Sequence, residues 1–117
     1  MIEWLIYACI GIGLLFNALG VIGVLRFPDV YTRLHAETKT TTFGTIFLCL
    51  AVILAAGSAY ASGGDAASLT LAVHTGIAAV ALAFTNATGA HAIARAAHRS
   101  GIRPTRSRVD RLAEVEE

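Results

Sequence analysis

The sequence predicts an all-α membrane protein with three transmembrane helices. Three observations carry this. The chain is 56% hydrophobic and 15% charged, with a mean hydropathy of +0.66, whereas globular domains carry about a quarter charged residues. Residues 4–25, 40–64 and 66–94 contain no Asp, Glu, Lys or Arg. At ~1.5 Å rise per residue, each window can cross a ~30 Å hydrocarbon core as a helix. The bases are also clustered. Arg26, Arg33 and Lys39 lie between the first two windows and the rest follow from Arg95, while Glu3 and Asp65 mark the opposite side. The positive-inside rule then orients the chain with its N-terminus out and its C-terminus in the cytoplasm. This composition excludes a soluble enzyme, a disordered chain and a secreted disulfide scaffold.

The expected organisation is one membrane domain over residues 1–99 and a basic-then-acidic cytoplasmic tail over 100–117. The spans are about 4–25, 41–61 and 67–95, with a cytoplasmic loop at 26–39. The first window reads as a retained span, because Met1-Ile2-Glu3 has no base and the apolar run exceeds a signal sequence's ~7–15 residues. Trp4 and Tyr7 suit the outer headgroup belt. Cys9, Gly13, Asn17, Gly20 and Val24 recur at helical spacing, and small residues on one stripe let a second helix approach closely. Asn17 lies mid-span, where an amide needs a protein partner rather than lipid.

The second span offers Ala51 and Ala55 as a weaker small face, and Ser62-Gly63-Gly64-Asp65 reads as a turn. The third repeats the small stripe at Ala72, Gly76, Ala79, Ala83, Asn86 and Ala90. Ser100-Gly101 and Pro104 form a helix stop. His74 is either a neutral imidazole bonded to a neighbour or a titrating group near the outer mouth. His91 and His98 share one face without a third ligand, so no metal site is expected. Cys9 and Cys49 fall in separate windows and read as apolar packing residues. No cofactor motif, phosphate loop or paired carboxylates occur, and a tail that ends acidic is a poor nucleic-acid ligand. Its arginines instead suit anionic membrane lipid.

The first loop carries the densest pattern. Pro28 disfavours helix at Phe27, so the first span breaks there. Proline also suits the first position of a new helix, and Asp29 suits its positive end. Asp29–Arg33 and Arg33–Glu37 are i,i+4 pairs, while Val30 and Leu34 share an apolar face with Phe27 and Tyr31 nearby. The pattern fits a short amphipathic helix in the interface, with a solvated connector as the plainer alternative.

The run from Gly20 to Lys39, Gly-Val-Ile-Gly-Val-Leu-Arg-Phe-Pro-Asp-Val-Tyr-Thr-Arg-Leu-His-Ala-Glu-Thr-Lys, followed by Thr42-Phe43-Gly44, resembles the G-type small component of Mrp-, Mnh- or Pha-type multisubunit cation/proton antiporters. The segment from His91 to Gly101 fits the same family, and the resemblance covers about residues 5–101. Two departures stand out. Glu37 replaces an alanine usual in the family's loop, and Ala87 stands near a proline common before the third-span histidine. The resemblance implies a three-span accessory subunit of a cell-membrane Na⁺(K⁺)/H⁺ antiporter, whose large complex-I-like subunits carry the proton relays. It also implies that Arg26, Phe27, Pro28, Asp29, Tyr31, Thr32, Arg33, His35 and Lys39 form a loop motif for subunit contact or assembly.

Taken without the family, the spans contain Gly13, Asn17, Gly20, His74, Gly76, Asn86 and His91 as polar or helix-packing residues, and no Asp, Glu, Lys or Arg in their interiors. Ion transport needs such charges at membrane depth, so partner chains are expected to supply them. The alternatives are a self-associating small transporter or channel, and a membrane scaffold without transport.

Overall fold

A computed structural model describes residues 1–103. It contains three α-helices: α1 (Ile2–Arg26), α2 (Val30–Ala61) and α3 (Ala66–Arg99). Each is long and apolar enough to span a membrane. The tail beyond residue 103, with Pro104 and its last arginines, lies outside the described residues.

Helix ends follow local chemistry. Phe27, ahead of Pro28, is extended (φ −74°, ψ 135°) and closes α1. Asp29 caps α2: its side chain accepts from the Tyr31 amide at 3.4 Å, and its carbonyl oxygen accepts from the Thr32 hydroxyl at 2.9 Å. Gly63 takes φ +90° after α2, where the Gly64 amide donates back to Ala59. Gly101 takes φ +78° after α3, where Ile102 donates to Ala97. Both are glycine-terminated helix ends that satisfy otherwise orphaned carbonyls. Asp65 caps α3 through Ser68.

The separate interfacial helix expected in the first loop is not formed. Residues 30–39 are helical, but they are the first turns of α2, which runs unbroken for 32 residues. The reason is local. No proline or glycine intervenes between Asp29 and Gly44, and the Thr40 hydroxyl is satisfied by the Ala36 carbonyl at 2.6 Å within the helix. This segment also packs on α1, with Ala36 against Gly23 and Thr40 against Gly20. A helix with such a groove to fill has no cause to bend away.

The helices form a row with α2 in the middle. It packs on α1 along one side and α3 along the other, while α1 and α3 do not pack directly. The α1–α2 contact is built from small residues: Cys9, Gly13, Gly20 and Gly23 are buried on α1, and Gly44, Ala51 and Ala56 on α2. Their backbones meet at the closest points, as expected where dispersion rather than hydrophobic exclusion must hold helices together. Phe16 stacks on Phe43 and Phe47 across the same contact, with centroids 5.8 and 6.5 Å apart. On α3 only Ala97 is buried.

Candidate functional site

Two features gather the chemistry-bearing residues. The first is the junction where α1 ends, α2 begins and α3 ends. Asp29 is the one buried charged residue among those described, at 8% exposure, because its carboxylate turns in to cap α2. The Tyr31 hydroxyl donates to the Ile102 carbonyl at 2.8 Å and so ties the start of α2 to the end of α3. Arg33 does not follow the expected i,i+4 ladder. Its Nε donates to the Phe27 carbonyl, bridging the break between the first two helices. Asp29, Tyr31, Thr32, Arg33 and Phe27 therefore form one bonded corner. Arg26, Pro28, His35 and Lys39 stay exposed around it.

The second feature is a cavity of about 660 Å³ between α2 and α3, with Val24 of α1 also in its lining. Its polar lining consists of Arg33, Glu37, Thr41, Thr42, Thr45, Thr85 and Asn86. Asn86 Nδ2 donates to Thr42 Oγ1 at 2.9 Å, a hydrogen bond between the two helices. The Thr41 hydroxyl donates to Glu37 Oε1 at 3.4 Å. The cavity exists because Ala79, Ala83, Gly89 and Ala90 present little side chain toward α2 at this level.

The helix is longer than the charge-free window here. The window starts after Lys39, but α2 begins at Val30, well before its expected start near residue 41. Ala36 lies against Gly23 and Thr40 against Gly20, so Glu37 sits alongside α1's interior and not in a loop beyond it. In the sequence, Glu37 stands out as an i,i+4 partner of Arg33 and as a departure from a family pattern. The available signal was its position one turn before Thr41, on a run without helix breakers.

The intramembrane residues separate by contact. Gly13 faces Leu48 and the Gly44 carbonyl, and Gly20 faces Thr40. Asn17 faces α2 at Gly44, with Nδ2 donating to the Gly13 carbonyl at 3.0 Å. Gly23 and Gly44 are close-approach points of the same contact that helical spacing alone does not single out, although both lie within or beside the loop motif. Among the described residues, Gly76 meets nothing within 4 Å of where a Cβ would stand. His74 and His91 are exposed on α3. Cys9 and Cys49 are both free thiols. Among the described residues, no three His, Cys, Asp or Glu side chains gather as a metal set.

Comparison with known proteins gives this arrangement its relatives. A UPF0091 protein of Pyrococcus horikoshii is 52% identical across 97% of this chain and 94% of its own length. The G-type component of the Na⁺/H⁺ antiporter of Alkalihalophilus pseudofirmus is 49% identical across 45% of this chain and 44% of its own. A chain in the solved structure of the membrane-bound sulfane sulfur reductase, an archaeal respiratory membrane complex, is 34% identical. It superposes with a TM-score of 0.71 over 98% of this chain and 95% of that one. The family model for Na⁺/H⁺ antiporter subunits of the PhaG, MnhG and YufB type matches residues 9–98. With three membrane-length helices and a match over most of its length, this chain is a multi-pass membrane protein of the PhaG/MnhG/YufB family of Na⁺/H⁺ antiporter subunits.

Proposed function

We propose that this chain is an accessory subunit of a multisubunit Na⁺(K⁺)/H⁺ antiporter in the cell membrane, needed for assembly and exchange. Its N-terminus lies outside, and the α1–α2 corner and the tail lie in the cytoplasm, following the clustered arginines. The observation that carries the reading is the uncovered α3. Beside its lipid-suited side chains, such as Phe84 at 74% exposure, it exposes His74 and His91, polar groups that hydrocarbon does not tolerate without a partner. A row of three helices cannot cover that face itself. The bonded corner of Phe27, Asp29, Tyr31, Thr32 and Arg33 holds the three helix ends in one geometry. Exposed Arg26, His35 and Lys39 beside it supply the contact to neighbouring subunits.

A second reading draws on the chain of a respiratory membrane complex that this chain resembles over nearly its whole length. On that reading this chain would serve a respiratory membrane assembly in which ion movement is coupled to electron transfer. One experiment tests the first reading and separates the second. Delete this chain in its host and measure cation-driven proton movement in everted vesicles. Loss of Na⁺(K⁺)/H⁺ exchange that occurs without any electron donor, restored by a plasmid copy, is expected. Exchange that occurs only with an electron donor favours the respiratory assembly. Undiminished exchange in the deletion strain contradicts both.

A further inference from the structure

We infer that the α2–α3 cavity is a monovalent-cation site whose charge is the Glu37 carboxylate and whose neutral ligands are the hydroxyls of Thr41 and Thr42 and the amide oxygen of Asn86. The inference rests on the antiporter-subunit reading and adds a position to it. Opposite Gly20 and Gly23, Glu37 lies about 5–9 Å inside the last residue of α1, at ~1.5 Å per residue. Glu37 is half-buried between helices, and a carboxylate taken out of water is costly unless it meets a partner or an ion.

Among the described residues, Glu37 forms no ion pair with a base. A carboxylate has room for about four hydrogen bonds, and Glu37 receives the single long one from Thr41. Arg33, the cation nearest on the preceding turn, is drawn toward the break before α2 by its bond to Phe27. Asn86 gives its NH₂ to Thr42, which leaves the amide oxygen to accept or to ligate. The cavity thus collects the Glu37 carboxylate and the Thr41 and Thr42 hydroxyls from α2 and the Asn86 amide oxygen from α3, with Arg33 also in its lining and apolar side chains over most of the rest. Hard oxygen ligands suit alkali and alkaline-earth cations over soft metals. One carboxylate among neutral oxygens matches one positive charge, whereas tight divalent sites gather several carboxylates.

The test uses the intact complex in membranes. The wild type is treated with dicyclohexylcarbodiimide, which modifies buried carboxylic acids, and Glu37 modification is quantified by mass spectrometry with Na⁺, K⁺ or choline present. Labelling in choline and protection by Na⁺ or K⁺ is expected. In parallel, Glu37→Gln is expected to raise the cation concentration for half-maximal exchange about tenfold or more, with Glu37→Asp intermediate. Labelling that ignores both cations, or no labelling at all, overturns the site. So does an assembled Glu37→Gln complex with unchanged cation dependence. Restoration of normal dependence by adding Arg33→Ala to Glu37→Gln also overturns it, because Glu37 would then be only the counter-ion of Arg33. If Glu37→Gln fails to assemble, the labelling of the wild type decides. Failure of the subunit reading itself appears separately, as exchange that persists without this chain.

Discussion

At the scale of single residues, close approach governs the α1–α2 contact. A Cβ at Gly44 would lie 2.5 Å from Asn17 Nδ2 and 2.9 Å from the Gly13 carbonyl oxygen. The backbone oxygen cannot swing aside as a flexible side chain can. Gly44→Ala is therefore expected to cost about 1–3 kcal/mol through overpacking, read as a lower melting temperature of the purified protein in mild detergent. Gly57 lies on the same helix with nothing within 4 Å. Gly57→Ala should be neutral or gain up to ~1 kcal/mol from helix propensity. Equal effects of the two substitutions would contradict the packing assignment. The stripe through Gly13, Asn17 and Gly20 was legible because small and polar residues stand out against Leu and Ile at helical spacing. Gly76 shows the limit of that logic. A small residue permits close packing without requiring it, and the sequence does not say which helix, if any, comes near.

At the scale of elements, α2 is the organiser. It supplies both packing faces, and its first turns carry the corner and the cavity. The caps were readable: Pro28 and Asp29 mark the start of a helix, and Gly63 and Gly101 mark two ends. The continuity of α2 was not. Charge counts place Arg33, Glu37 and Lys39 outside a span, while backbone preference lets the helix run through them, and the α1 groove at Gly20 and Gly23 decides in favour of one long helix. Length of helix and length of charge-free window are different quantities, and Glu37 falls between them. The α2–α3 contact is thinner, and Asn86–Thr42 is its clearest polar tie. Asn86→Ala and Thr42→Val should each destabilise the pair modestly. Their double-mutant cycle should give a coupling near the ~0.6 kcal/mol typical of hydrogen bonds between membrane helices. Zero coupling would mean that the two side chains do not meet.

At the scale of the whole molecule, the chain is a single layer of helices with an unpartnered side. Large apolar residues such as Trp4, Leu25 and Phe84 are more than two-thirds exposed, and no large side chain is fully buried among the described residues. Lipid can cover Leu and Phe, whereas His74 and His91 on α3 would be better covered by polar groups of other chains, as the proposed subunit role expects. Fold class and family were legible from the three windows and the loop motif. The identity of the covering surface was not, since it belongs to chains that this sequence does not encode. The most direct measurement is the native mass and chain content of the particle isolated in mild detergent through a tag on this 12.2 kDa polypeptide. A hetero-oligomer that includes much larger membrane subunits and carries out cation/proton exchange after reconstitution is the expected result. A particle made only of copies of this chain, exchanging ions by itself in liposomes, would contradict it.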